Sequence, residues 1–83
     1  MRHYSLILAS SFWDAVMEGR KTFEVRKNDR GFNAGDTVEF CGATDDGSAG
    51  RYADKIFDIT YVLSGWGIEP GYVVFGIKMK GGG

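Results

Sequence analysis

The sequence is poor in cysteine and histidine, and this shortage excludes several classes of protein. Among 83 residues there is one cysteine, Cys41, and one histidine, His3. A single thiol forms no internal disulfide, and small secreted domains usually depend on several, so we expect an intracellular, cytoplasmic protein with Cys41 as a small buried residue. A zinc finger needs more ligands than this chain contains. The sequence therefore predicts no metal site, and it gives no sign of a cofactor.

Long hydrophobic runs and a strong excess of one charge are also lacking. Residues 1–6 have no apolar run of signal-peptide length, and no apolar stretch is long enough to span a bilayer, so we expect no membrane partner. The formal net charge is −1 and the sequence pI is about 5.7. Domains that bind nucleic acid mainly through its backbone are usually basic, with a pI above about 9. A nucleic-acid partner must therefore be held by a local basic patch.

Short segments with alternating hydrophobic residues predict a mostly β fold. The predicted strands cover residues 4–9, 22–27, 37–41, 55–63 and 72–79. Five short strands separated by turn residues are typical of a small barrel or a curled sheet, which also hides strand edges. We therefore predict one mostly β (α+β) domain, a small β-barrel, over residues 1–80, with a disordered glycine tail over 81–83.

One short helix is predicted directly after the first strand. The serines at 10–11 have the position of helix-capping residues, and Gly19 is expected just beyond the C-terminal end, where a positive φ is common. Phe12 and Trp13 on this helix are expected in the core. A stretch rich in glycine, aspartate and serine, residues 42–50, is expected to be a loop whose two aspartates form a solvated turn.

Three parts of the chain resemble a known family. Residues 19–29, with the sequence GRKTFEVRKND, then Phe32, then Gly-Asp at 35–36, resemble the activating signal cointegrator homology (ASCH) domain, and more closely its small bacterial and phage branch. Residues 59–63 and 70–77 fit the same branch. The resemblance covers nearly the whole chain, and the first block is specific in its combination of residues.

The resemblance implies a PUA-like β-barrel, the fold of RNA-binding domains in pseudouridine synthases and archaeosine transglycosylases. It implies a cleft between helix and barrel lined by Lys21, Glu24 and Arg26, in a domain that binds RNA or a nucleotide. Some relatives are hydrolases, and one branch deacetylates an acetylated cytidine. That branch has threonine where this chain has Glu24, and it takes a catalytic glutamate from an insertion that this short chain lacks.

A cluster of basic residues surrounds this motif. Five cations fall within eleven residues, and an asparagine lies among them: Arg20, Lys21, Arg26, Lys27, Asn28 and Arg30. Arginine offers phosphate a planar, bidentate fork, and lysine offers a point charge. The same pattern is also compatible with a solvated strand face whose charges are offset by nearby carboxylates.

Glu24 and Arg26 lie two residues apart on one strand face, roughly 7 Å apart at Cα. We expect Phe23 and Val25 to face the interior, so that the two charged side chains emerge together in a groove and read the edge of a nucleobase. The alternative is an exposed ion pair of little energetic value. Lys21, at the start of the strand, is either a base or nucleophile, or an ordinary lysine that holds an anion or Glu24.

Two aromatic residues are candidates for stacking on a base. Trp66 lies between two glycines, and it either stacks on a ligand or, together with Ile68, plugs one end of the barrel. Tyr72 opens the last strand, and it either reaches the cleft or caps the barrel rim.

The leading hypothesis is an RNA- or nucleotide-binding domain that uses the cleft. The second is a small hydrolase acting on a modified nucleoside or on RNA, with Lys21 and Glu24 as the acid–base pair. The third is a protein-interaction adaptor, which requires an exposed apolar patch.

Overall fold

The computed structural model describes residues 1–43 and 49–81, and it confirms a mostly β domain with one short helix after the first strand. The elements are β1 (His3–Leu8), α1 (Ser10–Met17), β2 (Phe23–Lys27), β3 (Thr37–Ala43), β4 (Ala49–Leu63) and β5 (Tyr72–Met79). The predicted loop over 42–50 is shorter than expected, because β3 and β4 extend into it at both ends. Its aspartate pair, 45–46, lies outside the described residues, as do the last two glycines of the tail. None of the helices in the described ranges is long and apolar enough to cross a membrane.

The five strands form one sheet in the order β1-β3-β4-β5-β2. β1 runs parallel to β3, and every other neighbouring pair is antiparallel. The sheet curls into a half-barrel. Its two edge strands, β1 and β2, are the first two strands of the chain, so the chain must cross the open side of the half-barrel between them.

The core lies inside the curl of the sheet. Alternate residues of each strand point inward, as a period of two requires, and the buried apolar set includes Leu8, Val38, Phe40 and Phe75. Cys41 is buried, as the sequence predicted, and its thiol is free. These contacts pack β1, β3 and β5 together and leave the gap between the edge strands β1 and β2 to be closed by other means.

Phe32, in the connection after β2, fills the space between an edge strand and the sheet. Its ring centroid lies 4.8 Å from that of Tyr4 in β1 and 4.9 Å from that of Phe75 in β5. The Tyr4 hydroxyl donates a hydrogen bond to the Arg30 carbonyl oxygen, 3.1 Å away. The loop after β2 is thereby fixed against β1.

Helix α1 is held by packing rather than by capping. The predicted caps at 10–11 are wrong, because the N-terminal cap position is Ala9 and no side chain bonds to the free N–H groups. Trp13 is buried as expected, but Phe12 is 46% exposed, so its assignment to the core is wrong. A helix of eight residues is marginal alone, and two buried side chains dock it on the sheet. Gly19 has the expected positive φ, +79°.

The predicted orientation of β2 is also wrong. Glu24 is only 3% exposed, whereas Phe23 and Val25 are 45% and 53% exposed. Side chains of β2 alternate between two faces as predicted, but Glu24 points inward, and Phe23 and Val25 point outward. The inner face of this edge strand borders the open side of the half-barrel, where two cations compensate the Glu24 carboxylate. The hydrophobic residues of β2 therefore lie outside.

We predict that Phe32→Ala lowers the free energy of unfolding by about 3–5 kcal/mol, because it removes a buried ring that contacts two strands. Urea denaturation measures the change. Tyr61→Ala, which removes an exposed ring, is the control and should change the value by no more than about 0.5 kcal/mol. Equal losses for the two variants would contradict the role given to Phe32.

Candidate functional site

A seam remains between the edge strands β1 and β2, and a side chain bridges it. The Arg26 guanidinium, from β2, donates through Nη2 to the carbonyl oxygen of Ile7 in β1, at 2.9 Å. Neither strand pairs with the other through its backbone. Unpaired strand edges expose hydrogen-bonding groups, and charged side chains are one of the ways proteins cover them. Arg26 serves this purpose at the seam.

Glu24 is the centre of a buried ion triad beside the seam. Its Oε1 accepts from Lys21 Nζ at 2.6 Å, and its Oε2 accepts from Arg26 Nε at 2.9 Å. The Glu24 side chain is only 4% exposed. A buried carboxylate needs such partners, because desolvation without them is costly. Two cations and one carboxylate leave the triad with an excess positive charge.

Lys21 is fixed in this triad from several sides. Its ammonium group also donates to the Phe23 carbonyl oxygen at 2.8 Å, and it lies 4.8 Å from the ring centroids of Phe12 and Phe23. Rings at this distance attract a cation. Lys21 therefore holds Glu24 in place, which is the second of the two roles considered from the sequence, and the contact also accounts for the position of the exposed Phe12 ring.

One cavity opens on the helix side of Arg26, with a volume of about 220 Å³. Most of its lining residues are apolar, and its two charged residues, Glu24 and Arg26, belong to the triad. The lining residues of this helix-side cavity are Ile7, Leu8, Ala9, Phe12, Glu24, Val25 and Arg26. A flat, largely apolar group with a hydrogen-bonding edge suits such a lining.

A second cavity opens on the loop side of Arg26, with a volume of about 240 Å³. The lining residues of this loop-side cavity are Leu6, Arg26, Lys27, Asp29, Arg30 and Phe32. Three cations face one carboxylate, so the lining carries two net positive charges. The loop-side cavity therefore suits an anion, and Arg26 belongs to both cavities.

The turn after β2 sets the shape of the loop-side cavity. The Asn28 side-chain oxygen accepts a hydrogen bond from the backbone N–H of Phe32 at 3.3 Å. The backbone N–H of Asn28 donates to the Gly71 carbonyl oxygen at 2.8 Å. Asn28 thus shapes the turn and lines neither cavity. This places Lys27 and Arg30 on the two sides of a bend.

The structure gathers five of the predicted site residues at the seam: Lys21, Glu24, Arg26, Lys27 and Arg30. Arg20 is not among them, because its exposed guanidinium pairs with Glu18 at 2.8 Å. Tyr72 pairs with Lys27 across the strands and lines neither cavity. Trp66 is 91% exposed, so of the two alternatives considered for it, the one in which it plugs the barrel is wrong.

Sequence reasoning missed the contribution of β1 and α1 to the site. Ile7 supplies a backbone carbonyl oxygen, which no residue pattern reveals. Phe12 lines the helix-side cavity instead of the core. The one usable signal was that Ile7 falls out of phase with the inward Leu6 and Leu8, which places its side chain on the outer face of β1.

The family model described as Domain of unknown function (DUF3850) matches residues 3–77. The chain belongs to this family. The match includes every residue that lines the two cavities, so the seam is part of the DUF3850 domain. A search of curated proteins found no match to the sequence.

We predict that Glu24→Ala lowers the free energy of unfolding of this DUF3850 domain by about 3–5 kcal/mol, because it leaves two partly buried cations without their carboxylate. Thermal or urea denaturation measures the loss. Glu18→Ala is the matched control: its ion pair with Arg20 is exposed, so the change should stay below about 1 kcal/mol. Similar losses for both variants would show that the triad has no special role in stability.

Proposed function

We propose that this domain binds a nucleotide unit, free or within RNA, in the seam between β1 and β2. The observation that carries the proposal is the pair of adjacent cavities that share Arg26, one mainly apolar and one cationic. A nucleotide has the same division, with a flat base at one end and a phosphate at the other. Arg26 lies where the two ends of such a ligand join.

The phosphate occupies the loop-side cavity in this proposal. Arg26, Lys27 and Arg30 supply the positive charge there. Among the described residues, the Nε and Nη2 groups of Arg26 both face Glu24, and Nη2 also donates to the Ile7 carbonyl oxygen. The Nη1 group remains to donate to a phosphate oxygen, and Lys27 and Arg30 add further charged donors. Because Arg26 is already fixed, little side-chain entropy is lost when it binds.

The base occupies the helix-side cavity. The apolar residues of the cavity lining, with Leu8 and Phe12 among them, offer apolar contact to the faces of the base. Glu24 Oε2 faces Arg26, whereas Oε1 accepts one hydrogen bond, from Lys21, and keeps a second acceptor site that suits an exocyclic amine of a base. Glu24 and Arg26 would then read the base edge, as the sequence motif suggested.

The resemblance of residues 19–29 to ASCH domains supports the same proposal, since that family's motif lysine, acid and arginine correspond to the members of the triad. Within the proposal the ligand is a cytoplasmic nucleotide or RNA. The resemblance and the cavities are independent observations, because one rests on residue types and the other on geometry.

A hydrolase is the second candidate, because Lys21 and Glu24 lie 2.6 Å apart. We favour binding, since both groups are already engaged with each other and with Arg26, and Lys21 is enclosed by two rings. The two candidates differ in turnover. A hydrolase would convert a modified nucleoside or RNA into product that accumulates with time, whereas a binding domain returns the ligand unchanged.

An NMR titration with the four ribonucleoside monophosphates and the matching nucleosides tests the proposal. We expect at least one monophosphate to shift the amide signals of residues 7–9 and 24–30. The matching nucleoside should bind roughly 10- to 100-fold more weakly, because a charge-assisted hydrogen bond contributes about 1.5–3 kcal/mol. No shift at these residues for any compound would overturn the proposal.

Arg30→Ala should weaken binding of the monophosphate about tenfold and leave nucleoside binding unchanged. Arg20→Ala is the matched control, since it removes the same charge from a side chain that lines neither cavity. If both arginine variants lose equal affinity, the attraction is a general charge effect, and the loop-side cavity is not the phosphate site.

A further inference from the structure

The outer face of β2, β5 and β4 is apolar where a solvent-exposed sheet face is usually polar. The register places Phe23, Gly76 and Tyr61 in one row across the three strands. The next row contains Val25, Val74 and Leu63. Residues paired across strands share a face, so these rows form one surface, which we call the outer strip.

The outer strip is accessible to solvent. Tyr61 is 66% exposed, and Phe23, Val25 and Leu63 are also exposed. A β-bulge gives Tyr61 this orientation: the pairing register shifts between Ile59, which is buried, and Tyr61. Without the extra residue both side chains would point inward, because the period of a strand is two. Contiguous exposed apolar surface of this kind usually marks a site of interaction.

The loop after Leu63 adds a second unusual aromatic residue. Trp66 has a positive φ of +56° and is almost fully exposed. A large non-glycine side chain in this conformation is strained, and here no burial of the ring offsets the cost. The loop connects β4 to β5 at the end of the outer strip, close to Tyr72. Exposed tryptophan and tyrosine rings can stack on nucleobases.

Positive charge flanks the outer strip at both ends. Lys27 is paired with Tyr72 beyond one end, and Lys78 lies on the same face of β5 beyond the other. Asp58 lies opposite Lys78 and accepts from Lys80 at 3.3 Å. Lys78 and Lys80 thus face one carboxylate at one end, and Lys27 adds a positive charge at the other, although the chain as a whole has a net charge of −1. This complements an anionic occupant with exposed rings.

The outer strip is also continuous with the seam. Val25 belongs to both, since it lines the helix-side cavity, and the Phe23 ring contacts Lys21 of the triad. A nucleotide chain that occupied the seam would pass over the edge of β2 directly onto these rows. The three strands span about 10 Å, enough for two or three stacked bases at a rise of about 3.4 Å.

We propose that the outer strip stacks the nucleotides that flank the one in the seam, so that the ligand is single-stranded RNA several nucleotides long and not a free mononucleotide. This inference rests on the proposed function, because the seam must hold a nucleotide for the strip to extend it. Tyr61 and Trp66 are the residues whose rings contact bases.

Fluorescence anisotropy and NMR with a monomer, trimer and hexamer of each ribonucleotide test this inference. We expect the affinity of the wild-type protein to rise at least tenfold from monomer to hexamer. Tyr61→Ala should weaken hexamer binding roughly 5- to 150-fold, the range for loss of one stacked base, and leave monomer binding unchanged. Tyr61→Phe should retain the hexamer affinity. Tyr52→Ala, which removes an exposed ring outside the outer strip, should have no effect.

Other outcomes separate the two proposals. Equal affinity for monomer and hexamer, with no effect of Tyr61→Ala, would overturn the proposed role of the outer strip and leave the seam as the binding site. Hexamer binding that depends on Tyr61 but is unchanged by Arg26→Ala or Arg30→Ala would show that RNA binds the outer strip alone, and it would overturn both the seam as the nucleotide site and the inference that the strip extends it. Sedimentation showing a wild-type dimer that Tyr61→Ala dissociates, with no RNA dependence, would make the strip a protein interface and overturn the inference.

Discussion

The geometry of the seam depends on one carboxylate. Glu24 is held from both sides, by Lys21 at the end of the helix connection and by Arg26, which continues to the backbone of β1. Because β1 and β2 are the two ends of the sheet order, no ladder of backbone hydrogen bonds joins them. The triad performs this task with charged side chains, and it leaves cavities on both sides of the bridge. The same triad therefore closes the half-barrel and forms the site.

This arrangement explains why the hydrophobic residues of β2 face outward. A strand edge at the mouth of a half-barrel has a small apolar interior to contact, because the core is already filled by residues such as Phe40 and Phe75. Burying Glu24 there stabilises the seam only while both cations are present. Phe23 and Val25 then take the other face by strand alternation, and they create the apolar surface next to the seam. The inward position of Glu24 thus makes the outer face of β2 hydrophobic.

The number, type and order of the elements could be predicted from the sequence, because alternation and turn residues report on local structure. The grouping of Lys21, Glu24 and Arg26 followed from the family resemblance, whereas Arg20, from the same segment, pairs with Glu18 instead. The face of β2 could not be predicted: alternation gives the period of a strand, whereas its orientation depends on what lies opposite. Ile7 is nineteen residues from Arg26, and its role is played by a carbonyl group that every residue possesses. The orientation of Tyr61 depends on a bulge, which leaves no reliable sign in the residue pattern.

Every side chain that lines the two cavities comes from residues 6–32, yet these residues occupy opposite ends of the sheet. The distance between the two walls is set by β3, β4 and β5, which separate the walls in the sheet as a spacer of fixed width. The groups that line the cavities and the spacing between them are thus supplied by different parts of the chain. Changes in twist or packing among the middle strands would widen or narrow the gap without altering any residue that lines the cavities.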